Sequence, residues 1–188
     1  MGSLEHGNRR VQLEDLSAEE IFKLVRAYVE LFPREERRTF RSLAERQHYI
    51  SVYKEGGEII AVVMSYPLSG SFYIEYLMVM PDYQGKGLGT EILNDLMKEY
   101  EDKDIVLECE HPEAGQNAIR RIKLYRSLGF EPEDIPYFQP PYRPEESPTP
   151  LLLMRKKRTD SPIESVVSEL YAVVYNVSDF ISYGKDLQ

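Results

Sequence analysis

The stretch Leu77-Met-Val-Met-Pro81-Asp-Tyr-Gln84-Gly85-Lys86-Gly87-Leu88-Gly89-Thr90-Glu-Ile-Leu93 joins three kinds of local structure without a spacer. Its opening residues close an apolar run, Ser71–Met80 (SFYIEYLMVM), that reads as a strand. Glycines follow at 85, 87 and 89, and then Ile92, Leu93, Leu96, Met97 and Tyr100 recur at helical spacing. Glycines let successive backbone N–H groups converge with no Cβ in the way. A helix N-terminus adds unpaired donors and the positive end of its dipole. Strand, glycine turn and helix start therefore build an anion site that accepts a diphosphate. The loop lacks the Gly-Lys-Ser/Thr ending of a Walker loop, and its glycine spacing is not G-x-G-x-x-G.

Upstream of this stretch the period is two. HYISVYK from His48, the turn Glu55-Gly56-Gly57-Glu58 and IIAVVMSYPL read as a hairpin, and Ser69-Gly70 turns the chain into the strand that carries the loop. Before the hairpin, Ser17-Ala-Glu-Glu20 forms a capping box ahead of Ile21, Leu24, Val25, Tyr28 and Val29, which predicts a first helix up to Phe32-Pro33. Pro33 is expected to open a second, charge-laced helix through about Gln47, with Phe40 and Leu43 on its inner face. Met1–Arg10 (MGSLEHGNRR) has no period and is set aside as a tail, with vector-derived residues among its readings.

Downstream, Asp104–Glu110 (DIVLECE) reads as a strand and Gln116–Leu128 as a helix with Gly129 at its C-terminal cap. Phe130 starts a short strand. Residues 131–150 hold seven prolines and predict a long extended loop with no strand or helix of its own. Leu151–Met154 resumes a strand that ends in Arg155-Lys-Lys-Arg158, expected to be a solvated strand end. Ser161-Pro-Ile-Glu164 repeats the capping-box pattern before a last helix. Val166, Leu170, Val173, Val174, Val177, Phe180 and Ile181 form its wide apolar stripe, which packs either on its own domain or on a second copy as a homodimer.

Composition narrows the function. The chain has 188 residues, 42% hydrophobic and 29% charged, so it is an ordinary globular chain with one domain as the prior. One cysteine cannot form an internal disulfide, and no secretory leader is legible, which makes the cytoplasm the expected compartment. The uncharged apolar run Leu170–Ser178 is far short of the roughly 20 residues a membrane span needs. A net charge of −9 argues against nucleic acid as a partner. His6, His48 and His111 show no ligand spacing, so no metal is assigned.

The string V-x-P-x-Y-Q-x-x-G-x-G at residues 79–89, running into an amphipathic helix, resembles the acetyl-CoA-binding motif of the GCN5-related N-acetyltransferase (GNAT) superfamily. The order of elements over residues 11–157, including Leu124-Tyr125-Arg-Ser-Leu-Gly129-Phe130, is similar to that family. Residues 158–188 are an addition. The resemblance implies an α/β fold with a mixed, mostly antiparallel twisted sheet flanked by helices. It also implies an acyltransferase that carries an acetyl group from acetyl-CoA to an amine. Gln84, Gly85, Lys86, Gly87, Leu88, Gly89 and Thr90 would hold the pyrophosphate; Met78, Val79 and Met80 would lie along the pantetheine and thioester. The family's CoA-side Asn position is held by Ala118, with Asn117 one residue away.

Transfer needs a base for the amine, an oxyanion donor and a proton for the thiolate. Strand alternation offers two bases: Glu75, on one face with Tyr73 and Leu77, and Glu108, on one face with Glu110. Resemblance implies Tyr125 as the acid, and the oxyanion donor would be the backbone N–H of Met80 or its neighbour. Cys109 alternates with Leu107 and Ile105 and reads as a buried residue rather than a nucleophile. Tyr137 and Tyr142 of the Pro-rich loop would wall an acceptor pocket with Glu110 on its floor, suited to a small cationic amine. The alternative is a non-catalytic acyl-CoA sensor or assembly module that keeps the loop without the acid and base.

Overall fold

The computed structural model describes residues 9–177. Seven of its strands form one sheet: β1 Arg9–Gln12, β2 Ile50–Glu55, β3 Glu58–Pro67, β4 Ser71–Val79, β5 Asp104–Cys109, β6 Glu131–Pro132 and β9 Leu152–Lys156, in the order β1-β2-β3-β4-β5-β9-β6. The sheet is mostly antiparallel. The exception is β4 with β5, which run parallel from Ser71↔Asp104 to Ile74↔Leu107. β7 Phe138–Gln139 and β8 Thr149–Pro150 pair separately. The helices are α1 Ala18–Leu31, α2 Phe40–Glu45, α3 Leu88–Glu99, α4 Gln116–Ser127 and α5 Ile163–Leu170. None among the described residues is long and apolar enough to cross a membrane.

The chain divides into two compact units, Met1–Ser65 with Glu75–Glu99, and Tyr66–Ile74 with Tyr100–Gln188. In the first, β1 pairs with β2 from Arg9↔Lys54 to Gln12↔Ser51, so a strand includes Arg9 and Arg10, residues set aside above as tail. The capping box of α1 forms as its sequence predicts, with Glu20 N–H donating to Ser17 Oγ. Ile92, Leu93, Leu96 and Met97 of α3 are buried, as their spacing requires.

The expected second helix is broken. Arg34–Glu36 is a single 3-10 turn, Arg37 and Arg38 lie near it in non-helical backbone, and α2 starts only at Phe40, with the Thr39 hydroxyl accepting from Ser42 N–H. The cause is Arg38, which turns inward and is 5% exposed, while Phe40 faces out at 54%.

In the second unit, β5 pairs with β9 from Ile105↔Lys156 to Cys109↔Leu152. The basic run at the end of β9 is not a solvated end. Arg155 is buried against Asp104, the Lys156 ammonium donates to Leu128 O, and Arg158 Nη1 donates to Tyr100 O. Asp104 also accepts from the backbone N–H groups of Arg158 (2.6 Å) and Thr159 (2.8 Å) and from the Thr159 hydroxyl (3.0 Å). The turn that launches α5 is tied down by these bonds, and Pro162, not Ser161, is its N-cap; the expected capping box does not form. With the Thr159 proton given to Asp104, the Ser161 hydroxyl donates to Thr159 Oγ1 at 2.9 Å instead. β6 is the short strand expected from Phe130, displaced by one residue, and the Pro-rich segment carries two further two-residue strands, β7 and β8, where none was expected. Val166, Leu170 and Val174 are buried and Val173 is exposed; Phe180 and Ile181 lie outside the described residues.

Candidate active site

In the first unit β4 ends at Val79 and a 3-10 turn, Pro81–Tyr83, leads into the glycine loop. Gly85 (φ +72°) and Gly87 (φ +86°) occupy the left-handed region, which side-chain-bearing residues enter only at a cost. The first helical bond of α3 runs from Glu91 N–H to Gly87 O at 3.0 Å. The N–H groups of Leu88, Gly89 and Thr90 therefore precede the intrahelical ladder and form the donor set of the helix start. Gln84 Nε2 donates to Val79 O at 3.0 Å and ties the loop to the strand end. Lys86 folds back, donating to Asp82 O at 2.8 Å over the Tyr83 ring. A cleft of about 660 Å³ opens between α1 and residues 81–83. Glu19, Glu20, Glu30, Glu58 and Asp82 border it against Lys23 and Arg26, an acidic rim unsuited to phosphate.

The Met80 N–H, one of the two oxyanion donors offered by the sequence, donates to Ile60 O at 2.9 Å and is used by the sheet. Of its neighbours Pro81 has no N–H. Val79 precedes it on β4, where successive N–H groups alternate between edges, so the Val79 N–H points away from β3.

Glu75 is in a buried ion pair. Arg38 Nε donates to Glu75 Oε1 at 2.7 Å, and Arg38 Nη1 donates to Ser42 Oγ at 3.2 Å. The Arg38 backbone N–H donates to the Tyr28 hydroxyl, and the Tyr76 hydroxyl donates to Glu36 O. Tyr28, Phe32 and Tyr76 pack as an aromatic cluster with centroids 5.1 to 5.5 Å apart. Burial pushes the Tyr28 phenol up to about 12.

Glu108, in the second unit, stands among hydroxyls. Tyr137 donates to Glu108 Oε1, and the Tyr175 hydroxyl lies 3.0 Å from each carboxylate oxygen. Tyr175 also meets Gln139 Nε2 and the Tyr73 hydroxyl, each at 3.1 Å, and Gln139 Nε2 donates to the Tyr142 hydroxyl at 2.9 Å. Tyr137 is 3% exposed. Burial, with the Glu108 charge next, raises its phenol well above the usual value, so it stays a donor. Tyr137 and Tyr142 thus do come together with Glu108 and Gln139. The sequence assigns no site role to Tyr73, Gln139 or Tyr175. The one signal is Tyr171 and Tyr175, two polar-tipped rings beside an apolar C-terminal stripe.

Glu110 pairs with Arg121 of α4, which offsets the negative floor expected from it. Tyr125 is half-buried with its ring 6.0 Å from Phe130. Burial first, then Cys109, pushes its phenol up to about 12. The Cys109 thiol is raised to about 11 by burial and by Glu110 and is 2% exposed, an inert group as its alternation predicts. Asn117 is exposed in the first turn of α4 and Ala118 is buried.

Residues 17–130 match the family model described as Acetyltransferase (GNAT) family. A GNAT-family protein of Bacteroides thetaiotaomicron superposes with a TM-score of 0.79 at 25% identity, over 90% of this chain and 98% of that one. Arabidopsis thaliana Naa50, solved with the bisubstrate analogue CoA-Ac-MVNAL, gives 0.55 at 20% identity over 81% and 99%. The ribosomal-protein-S18-alanine N-acetyltransferase of Escherichia coli gives 0.56 at 20% over 82% and 98%. No curated protein matches the chain.

Proposed function

The chain belongs to the GNAT acetyltransferase family, and from that premise we propose that it transfers the acetyl group of acetyl-CoA directly to a primary amine of a small cationic acceptor. The observation that carries the reading is the glycine loop. Two left-handed glycines place the N–H groups of Leu88, Gly89 and Thr90 ahead of the first helical bond of α3, a donor set suited to the CoA pyrophosphate. Gln84 to Thr90 hold that group, and Met78 to Met80 lie along the pantetheine. Asn117 has the CoA side of α4. Lys86, bonded to its own loop, contributes mainly to loop shape.

Glu108 is the base. Glu75 already neutralises the buried Arg38 guanidinium, and protonating it would remove that countercharge. Glu108 accepts hydrogen bonds from the Tyr137 and Tyr175 phenols, neutral donors that lose no countercharge when it takes a proton. The amine nitrogen forms the new bond to the thioester carbon and its proton passes to Glu108. The Val79 N–H is the oxyanion donor. As the C–S bond breaks, Tyr125 donates a hydrogen bond to the leaving sulfur. With its phenol near 12 against about 8.5 for a free thiol, full proton transfer is uphill by roughly 5 kcal/mol, so CoA leaves as the thiolate.

The test is release of CoA thiol from acetyl-CoA across polyamines, aminoglycosides, amino acids and short peptides against a blank without acceptor. Release above blank with one amine class, lost in Glu108→Gln, supports the reading. Release that Glu108→Gln leaves unchanged removes Glu108 as base. Silence across the panel with acetyl-CoA still bound favours the sensor reading.

A further inference from the structure

We propose that Tyr175 is the positioning residue of Glu108, delivered to it by the C-terminal helix that lies beyond the family-matched residues. The inference rests on Glu108 being the base and adds a part that the core fold does not contain. The family model ends at residue 130, so Tyr137, Gln139 and Tyr175 all lie outside it.

The hydrogen-bond directions follow from donor counting. Glu108 as a carboxylate only accepts, so the single Tyr175 proton goes to it, from 3.0 Å to each oxygen. Gln139 Nε2 only donates, so Tyr175 accepts there. With its proton engaged, Tyr175 must also accept from the Tyr73 hydroxyl at 3.1 Å. A donor that itself accepts two bonds is polarised toward the carboxylate. Tyr137 also donates to Oε1, so two phenols hold the carboxylate.

The backbone supports this delivery. α5 gives way at Tyr171–Tyr175 to one π turn, which ends at Asn176 in the left-handed conformation (φ 58°). Such turns re-aim side chains and recur at functional positions. The helix is held at three places. Asp104 binds the residues before it, Glu169 accepts from Ser69 N–H and Oγ at 2.7 Å each, and the Tyr171 hydroxyl donates to Phe138 O. Among the described residues, ionisable groups in this cluster include Tyr137 and Tyr175 on Glu108, Tyr73, Tyr142 and Tyr171 beside them, and on its own strand Cys109 and Glu110, the latter paired with Arg121.

The experiment is a carbon-13 titration of the Glu108 side-chain carboxyl in the full chain, assigned by the signal missing from Glu108→Gln. It needs no acceptor. Tyr175→Phe keeps the ring and removes the donor, so the carboxylate loses stabilisation and its midpoint rises. Gln139→Met leaves Tyr175 in place but depolarises it, and gives a smaller rise. If the midpoint stays put or falls in both variants, the proposal is overturned. With an amine that the parent accepts, Tyr175→Phe is expected to lower kcat roughly tenfold, with the KM for acetyl-CoA unchanged. Should Glu108→Gln turn over at the parent rate while the titration shifts as stated, the base reading fails and the Tyr175 contact stands.

Discussion

Arg38 Nε lies 2.7 Å from Oε1 of Glu75, and the two side chains are 5% and 1% exposed. A buried pair of this kind contributes little over apolar residues of the same shape, but removing one partner leaves the other charge in a medium that cannot solvate it. Glu75→Gln is therefore expected to destabilise the fold by about 3 kcal/mol, read as a lower urea midpoint. Turnover per folded molecule should stay within a few fold. A loss of turnover with an unchanged midpoint would reverse the assignment of the two glutamates.

Glu108 carries the opposite expectation. The Tyr137 and Tyr175 phenols bonded to it tolerate a neutral amide in its place, so Glu108→Gln should unfold close to the parent midpoint. Turnover should fall by on the order of 10²- to 10⁴-fold, the range of a lost general base, with acetyl-CoA affinity intact. Tyr125→Phe removes one hydrogen bond to a developing anion and should cost roughly ten- to hundredfold in kcat. Matched stopped-flow and calorimetric titrations of the two variants separate chemistry from binding. Weakened acetyl-CoA binding in either would move that residue from the reaction to the cofactor pocket.

Much of the fold was legible because its signals are local. The hairpin around Gly56-Gly57, the loop strand, the capped first helix and Gly129 at the end of α4 each follow from period or backbone demand within a few residues. What escaped depends on partners distant in sequence. The broken second helix depends on Arg38 meeting Glu75, 37 positions on, and the burial of Arg155 depends on Asp104, 51 positions back. Strand β1 has too few residues to show a period and is defined by pairing with β2. In the candidate site the loop and Glu108 were legible by motif and alternation. Tyr175 was not, because a polar tip on an apolar helix stripe does not say which carboxylate it will reach.

The glycine loop makes a contrast between two of its members. Gly87 has φ +86°, with nothing within 4 Å of a Cβ placed there. The barrier to a side chain is thus conformational, and Gly87→Val must swing the loop out of shape to relieve it. Gly89 has no such constraint; its added Cβ would sit 3.6 Å from Val79 Cγ2, an ordinary contact. Gly87→Val should lose acetyl-CoA binding by calorimetry while the thermal midpoint changes little, and Gly89→Ala should bind within a few fold of the parent. Intact affinity in Gly87→Val would remove the pyrophosphate from this loop.

Asp104 anchors the C-terminal helix, and its carboxyl supplies a pH test of that anchor. Burial alone would raise it, but the N–H groups of Arg158 and Thr159 and the side chains of Arg155 and Thr159 outweigh burial and hold it below its ordinary 3.8. A carboxyl lowered in the folded state stabilises that state above its unfolded value, and the stabilisation disappears as pH falls through the folded value. Unfolding free energy should therefore be level with respect to this group at neutral pH and decline once the pH drops below 3.8. Asp104→Asn leaves the buried Arg155 with the longer, more exposed contact to Glu133 at 3.4 Å in place of its close anion. It should cost about 3 to 5 kcal/mol at neutral pH, with a flatter decline in acid, so that the two urea-denaturation curves converge as pH falls. Parallel curves across that range would show that the Asp104 carboxyl has the same proton affinity folded and unfolded, and the anchor would then owe its strength to packing around α5 rather than to the charge.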